Sequence, residues 1–302
     1  MRKIILTSTL ILAAFLANAT SQNTSTKSSQ KTQQSKKVKQ KKQKKSQVQS
    51  TVNSHGIPRL NSKAAIVITA DNNHIYVNKN SEQILPIASI TKLMTAMVVL
   101  DSKVNLDDFV SITSEDVDNL RNTTSRLRVG MQLRRRDLLL LALMSSENRA
   151  ASAVARTTFV GGMKPFITQM NAKSKALGMN NTKFYDPTGL TVNNQSTASD
   201  LAKMVKAAYQ YDLIREDTTT KAADVMLSQR YTHRYVNSDS LVRGDNMKIE
   251  VSKTGFINEA GHCLVLYSLV ANKPVIMVFL NSPGKSGRFS DALAMRSYIS
   301  KT

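Results

Sequence analysis

The sequence is short of the residues on which disulfide and metal chemistry depend. It has one cysteine, Cys263, so no disulfide can close within the chain. Set in an apolar run, that thiol reads as buried and inert. The four histidines, at 55, 74, 233 and 262, show no metal-ligand spacing, which predicts no metal site, and no cofactor is expected. Acid is scarce: 21 Asp and Glu stand against 42 Lys and Arg, a formal net charge of +21. No internal repeat is present. What remains is 302 residues at 41% hydrophobic content, enough for one sizeable domain or a domain with a subdomain.

A basic balance of this size usually points to an anionic partner, so the charge has to be located. Met1 to Ala19 reads as a secretory signal peptide: Arg2 and Lys3 precede the apolar run Ile4 to Ala17, and Ala17-Asn18-Ala19 is a small-residue cleavage site. The run is too short and too rich in hydroxyls for a membrane span. No cysteine follows it, so no lipoprotein anchor is expected. From Thr20 to about Asn53 the chain is Ser, Gln, Thr and Lys, without an acid or an aromatic residue. Such a composition cannot bury a core and predicts disorder. Its nine lysines, with Arg2 and Lys3, carry about half of the net charge. The expected organisation is a signal peptide over 1–19, a Lys/Gln/Ser-rich linker over 20–56 and a folded domain over 57–302. The linker reads either as a loose electrostatic tether to an anionic envelope polymer or lipid headgroup or as a solvated spacer. A nucleic-acid partner is excluded, since the tail lacks interleaved aromatics and is exported. The expected location is the periplasm, soluble or loosely envelope-associated.

The folded part is organised around Ala88-Ser89-Ile90-Thr91-Lys92. It reads as the first turn of an apolar helix, with Pro86 and the Ser89 hydroxyl as start signals. Residues three apart share a helix face, so Ser89 presents its hydroxyl beside the Lys92 amine. A serine alcohol needs a base within hydrogen-bond reach to act as a nucleophile. A lysine can be that base when burial depresses its pKa.

The runs 64–70 and 74–77 around Asp71-Asn72-Asn73 read as a β-hairpin. Helices are expected from Asp137, as a cap, to Met144, from Ala150 to Thr157, from Lys164 to Leu177, and after the capping box that opens at Thr197. Met247 to Ser252 alternates as a strand that delivers Lys253-Thr254-Gly255. His262–Val270 and Pro274–Leu280 form a second hairpin, and Ser290 to Ile299 a closing helix. Strands at both ends and helices between them predict one antiparallel sheet uniting the chain ends, backed by the last helix, beside an all-helical lobe. The site belongs in a cleft between the two.

Two further motifs follow Ser89-x-x-Lys92. Ser146-x-Asn148 lies in a loop between helices, and Lys253-Thr254-Gly255 ends or interrupts a strand. Each alone has a plain structural reading, as a helix cap, a loop cap or a strand end. Together, in this order and context, they support acyl transfer. Ser89 attacks a carbonyl, and Lys92 takes its proton. Ser146 relays a proton to the leaving amine if it faces both lysines. Asn148 holds a substrate peptide group or orients Lys92. Lys253 supplies the positive field that keeps Lys92 neutral. Thr254 offers its hydroxyl to a substrate carboxylate or carbonyl, and Gly255 lets a substrate strand lie close. Backbone N–H groups of Ser89 and Phe256 make the oxyanion hole.

This trio is the signature shared by class A β-lactamases and penicillin-binding proteins. From about Ile57 to Ser300 the chain resembles a low-molecular-mass penicillin-binding protein of the serine-type D-Ala-D-Ala peptidase family. Phe184-Tyr185-Asp186-Pro187-Thr188-Gly189-Leu190 and Asn258-Glu259-Ala260-Gly261 also resemble family segments. Met144-Ser145-Ser146-Glu147-Asn148 and Met170-Asn171-Ala172-Lys173 are closest to its D-alanyl-D-alanine endopeptidase branch. The resemblance implies a DD-peptidase/β-lactamase-like α/β (α+β) fold, with a five-stranded antiparallel sheet, flanking helices and an all-helical lobe. It implies hydrolysis of the cross-link between peptidoglycan stem peptides, and acylation by β-lactams. Trimming of a terminal D-alanine is the carboxypeptidase alternative. The C-terminal β domain and amphipathic anchor of carboxypeptidase relatives are not expected, and the Lys-rich segment has no family counterpart. A β-lactamase would need a carboxylate to activate water, yet no Glu occurs from Arg149 to Arg215, and Asp186 reads as a structural turn. A non-catalytic envelope-binding protein on the same scaffold is the remaining alternative.

Overall fold

Two stretches far apart in the chain close the same sheet. The structure is a computed structural model that describes residues 56–302; the expected signal peptide and lysine-rich segment lie outside the described residues. In chain order the strands are β1 (Ala64–Thr69), β2 (Ile75–Lys79), β3 (Leu85–Pro86), β4 (Phe109–Ser111), β5 (Gln132–Arg134), β6 (Gln195–Ser196), β7 (Ala222–Ser228), β8 (Tyr231–Val236), β9 (Lys248–Ile257), β10 (Gly261–Val270) and β11 (Lys273–Ser282). The helices are α1 (Thr91–Asp101), α2 (Arg135–Met144), α3 (Asn148–Arg156), α4 (Met163–Ala176), α5 (Ala198–Ala208), α6 (Asp212–Thr219), α7 (Ser240–Arg243) and α8 (Gly287–Ile299).

β1 pairs antiparallel with β11, Ala64 opposite Leu280 and Thr69 opposite Val275. The sheet runs β2-β1-β11-β10-β9, the five-stranded antiparallel arrangement expected from the apolar runs at the two ends of the folded region. Its side chains alternate with the period of two that a strand imposes. Ala65, Val67, Leu264, Leu266, Met277 and Phe279 turn to one face and pack with Ala292, Met295 and Ile299 of α8. Ile66, Ile68, Val265, Ile276, Val278 and Leu280 turn to the other and join the core of the helical lobe.

α1 runs through the middle of that lobe, against α2, α3, α4, α5 and α6. Nine of its eleven residues are buried, Thr91 through Val99 without a break. A helix that is apolar on all sides belongs in the interior, so a lysine in its first turn is carried inside with it.

Several boundaries differ from the sequence expectation. Pro86 does not open a helix; it pairs in β3 opposite Gln195 of β6. Asp137 does not cap α2, which begins at Arg135. It sits in the first turn, 3.1 Å from Arg134 Nε, where a carboxylate suits the positive helix terminus. The closing helix starts three residues early, at Gly287. The β7–β8 hairpin and α6 have no counterpart in the sequence reading: both are short and mostly polar, and the hairpin buries only Val225, Leu227 and Tyr235.

The entry to β1 is clamped onto α8 by one side chain. Buried Asp291 accepts hydrogen bonds from Asn61 N (2.8 Å), Asn61 Nδ2 (2.8 Å), Ser62 N (2.9 Å) and Ser62 Oγ (2.6 Å). Asp291→Ala leaves these donors without an acceptor and is expected to cost about 3 kcal/mol. Urea unfolding should show a lower midpoint at unchanged slope; a loss below about 0.5 kcal/mol, the range of ordinary surface changes, contradicts the clamp.

Candidate active site

Ser89 lies in a short 3-10 turn, Ala88–Ile90, immediately ahead of α1 rather than inside it. Its hydroxyl donates to the Thr188 carbonyl at 3.4 Å, and Thr91 Oγ1 donates to the Ala88 carbonyl at 2.8 Å. Ala88 is held at φ +48°, a left-handed conformation that costs a non-glycine residue energy and that tends to be stored at functional sites.

Lys92, 1% exposed, sits one turn on. Its Nζ lies 2.8 Å from Ser89 Oγ, 2.7 Å from Asn148 Oδ1 and 2.7 Å from the Thr188 carbonyl. Burial lowers its pKa to about 7, against the opposing pull of the Asp186 and Glu147 charges. An ammonium would donate to all three oxygens; a neutral amine has two N–H groups and a lone pair. Two fixed acceptors, Asn148 and Thr188, therefore leave the lone pair for the serine hydroxyl.

The second wall is the turn between α2 and α3. Ser146 there has φ +63°. Glu147 caps α3 by accepting from Arg149 N at 3.3 Å, and Asn148, expected in the loop, is the first residue of α3. The Asn148 amide is fixed at both ends, because its Nδ2 donates to Thr123 Oγ1 at 3.0 Å and Thr123 Oγ1 donates to Asp118 Oδ2 at 2.7 Å.

The third wall is β9. Lys253-Thr254-Gly255 lies inside this strand, not at its end. Lys253 is 1% exposed and donates to Ser146 Oγ at 3.0 Å and to the Thr254 carbonyl at 3.1 Å. Its pKa falls well below the usual lysine range, first through burial and second through repulsion from Lys92. At Lys92 burial is the leading cause, as the sequence reading expected; the contribution that it also expected from Lys253 is not among the causes. Thr254 Oγ1 is 2.7 Å from Ser238 Oγ. A Cβ on Gly255 would stand 2.8 Å from the Ile87 carbonyl and 3.3 Å from Ser89 N, so the strand lies directly against the serine turn. Phe256 is exposed and stacks on His262, ring centroids 4.3 Å apart.

One crevice of about 560 Å³ joins Ser89, Ser146, Asn148, Thr254, Gly255 and Phe256. Lys92 and Lys253 stand behind Ser89 and Ser146, hydrogen-bonded to them. The eight residues named from the sequence thus meet in one place. The arrangement can deprotonate a serine, receive a developing negative charge and pass a proton along Ser146.

The structure adds two roles that the sequence did not assign. Arg288, 8% exposed, lines the crevice, and its Nε and Nη1 have no hydrogen-bond partner. Thr188 contributes a carbonyl, which no side-chain motif announces. Asp186 is the turn it was read as: it accepts from Thr188 N (2.6 Å), Thr188 Oγ1 (2.5 Å), Gly189 N (2.7 Å) and Thr191 N (3.1 Å). Among the described residues no group of three or more His, Cys, Asp or Glu side chains is placed to hold a metal ion, and no helix is long and apolar enough to cross a membrane.

Comparison with known proteins gives the site a setting. The model of the D-alanyl-D-alanine carboxypeptidase family matches residues 48–284. The chain is 44% identical to the D-alanyl-D-alanine endopeptidase of Escherichia coli K12 over 243 residues, 80% of this chain and 78% of that one. Its fold is similar to the crystal structure of the Streptomyces K15 DD-transpeptidase, with a TM-score of 0.73 at 28% identity, covering 80% of this chain and 98% of that one. It is also similar to the ampicillin-bound form of penicillin-binding protein D2 from Listeria monocytogenes, with a TM-score of 0.67 at 26% identity, covering 79% and 97%.

Gly189 sets how closely the Asp186 turn approaches Ser89. It has φ +85°, and a Cβ there would fall 2.0 Å from the Ala88 carbonyl oxygen. Gly189→Ala is expected to cost roughly 3 kcal/mol or more and to displace the Thr188 carbonyl from Lys92. Gly130, with φ +91° and nothing within 4 Å, is the control, expected to cost only about 1 kcal/mol. Equal losses in urea unfolding would contradict the close approach.

Proposed function

The chain belongs to the D-alanyl-D-alanine carboxypeptidase family, and from that premise we propose that it is a serine endopeptidase that cuts the D-Ala cross-link between peptidoglycan stem peptides through a Ser89 acyl-enzyme. The observation that carries this reading is the 2.8 Å contact between Ser89 Oγ and a buried Lys92 whose pKa burial brings to about 7. The 44% identity to an endopeptidase over most of both chains supports that branch over the carboxypeptidases.

Neutral Lys92 takes the Ser89 proton as Oγ bonds to the carbonyl carbon of D-alanine. The N–H groups of Ser89 and Phe256 receive the oxyanion. As the C–N bond breaks, Ser146, bonded to Lys253, gives its proton to the leaving amine and takes in its place the one that Lys92 received, and water then hydrolyses the ester. Thr254 and Arg288 face the carboxylate of the leaving residue; a guanidinium that lines the crevice suits that partner. Asn148 holds Lys92 in line. Asp186, engaged by four donors, is unsuited to activate a deacylating water, which speaks against a β-lactamase. The same serine is the site of acylation by β-lactams.

The enzyme works in the periplasm, and its lysine-rich segment tethers it electrostatically to anionic envelope polymer or lipid. Nine lysines without an acid support this. Deleting 20–53 should lower retention on isolated cell-wall sacculi at low salt and leave activity on soluble fragments unchanged. Unchanged retention would make the segment a spacer.

The direct test is mass analysis of cross-linked muropeptide dimers. The enzyme should convert dimers to monomers, and Ser89→Ala should lower the rate by roughly four orders of magnitude or more while the protein stays folded. Release of terminal D-alanine with dimers left whole would contradict the endopeptidase reading. The pH dependence follows from Lys92. Below its pKa of about 7 it is an ammonium and cannot accept a proton, so penicillin acylation should rise with pH through a midpoint near that value. A flat rate between about pH 5.5 and 8.5 would remove Lys92 as the base.

A further inference from the structure

Beside the catalytic crevice lies a second hollow of about 280 Å³, between loop 124–126 and the β7–β8 hairpin. The two share a wall. Thr123 lines the crevice and Thr124 the hollow; Ser146 and Asn148 line the crevice, and Ser145 and Glu147 line the hollow. The two hollows adjoin at the Ser145–Asn148 turn.

The hollow contains donors without acceptors. Tyr235, 6% exposed, has a hydroxyl with no hydrogen-bond partner. Burial first, and then the Glu147 charge, push its pKa up against the smaller pull of Arg126, so it stays a neutral O–H donor. Arg126 is exposed, reaches only His233 Nε2 at 3.4 Å, and forms no ion pair among the described residues. The other cation, Arg234, is paired with Asp224 at 2.9 Å. Glu147, the one acid of the hollow, accepts from Arg149 N at the start of α3. Tyr231, His233 and Tyr235 alternate along β8, so they share one face of the hairpin. Tyr231 Oη lies 3.0 Å from His233 Nδ1, and the rings of His233 and Tyr235 meet edge to face, 4.8 Å apart. These contacts fix the face that Tyr235 presents.

We propose that this hollow is a second peptide subsite, in which Arg126 and the Tyr235 hydroxyl take a carboxylate of the neighbouring stem in a cross-linked substrate. The inference rests on the endopeptidase reading and deepens it. A guanidinium without an ion pair and an unpartnered phenol lining one hollow suit an anionic group better than a neutral sugar. A substrate confined to one stem has no second strand to place there, so the subsite discriminates between cross-linked and single peptides.

The test uses the full chain and its Arg126→Ala and Tyr235→Phe variants on two substrates: a cross-linked peptide dimer freed of its glycan, and a short single peptide ending in D-Ala-D-Ala. Arg126 is on the surface, and Tyr235→Phe removes a hydroxyl that bonds to nothing, so both variants should fold. Each should lose about ten- to a hundredfold in kcat/KM on the dimer. Turnover of the short peptide and acylation by penicillin should stay within about twofold, and Arg126→Lys should restore part of the loss. Equal losses on both substrates, or none on the dimer, would overturn the subsite. So would a loss seen only when the glycan is retained, which would mark a sugar site. A wild-type enzyme that leaves the dimer whole overturns the endopeptidase reading and the subsite with it. Wild-type cleavage that survives both substitutions overturns the subsite alone.

Discussion

A lysine amine in the dry centre of a helical lobe is the constraint from which the site follows. Charging a group that far from water is costly, and Lys92 lies in a stretch of α1 that is buried without a break from Thr91 to Val99. Against its amine stand three oxygens, those of Ser89, Asn148 and Thr188. Burial pushes the amine toward neutrality, while Asp186 and Glu147 pull it back. The balance near neutral pH is what a general base requires. A more exposed lysine would stay charged, and one without the two acids would titrate lower still.

The surrounding structure holds the oxygens in place. Asp186 collects its own turn and so fixes the Thr188 carbonyl. Asp118 holds Thr123, which holds Asn148. Both chains of support end at Lys92. Two glycines permit the approach: Gly189 brings the Asp186 turn against Ala88, and Gly255 brings β9 against Ser89. The strain of Ala88 at φ +48° is accepted where these surfaces converge. Lys253, also buried, repeats the design on β9, with Ser146 as its partner.

The sheet was legible in the sequence because β1, β10 and β11 are apolar and buried on both faces, and because Asp71-Asn72-Asn73 announces the turn between β1 and β2. The three motifs were legible because each is a short run of side chains whose chemistry is recognisable without coordinates. Their meeting in one crevice depended on the topology, which the strands at both chain ends already suggested. The parts that escaped are those whose signal is not local. Thr188 acts through its backbone. Arg288 reaches the crevice from the start of α8, thirty-five residues after Lys253 and with no pattern of its own. The β7–β8 hairpin is too polar for periodicity to mark it, so the second hollow could not be seen. The misplaced boundaries at Pro86 and Asp137 share one cause: residues that favour helix starts also serve in strands and first turns, and tertiary pairing decides between them.

The central claim is that Lys92 is substantially uncharged at neutral pH before any substrate arrives. It can be measured without turnover. Isotopically labelled lysine in the full chain, with Lys92→Arg to assign its signal, allows its titration to be followed by NMR. The account predicts a midpoint near 7. A midpoint near the ordinary lysine value of about 10.4 would show that Lys92 is an ammonium in the resting enzyme, and the proton transfer from Ser89 would have to be assigned to another group.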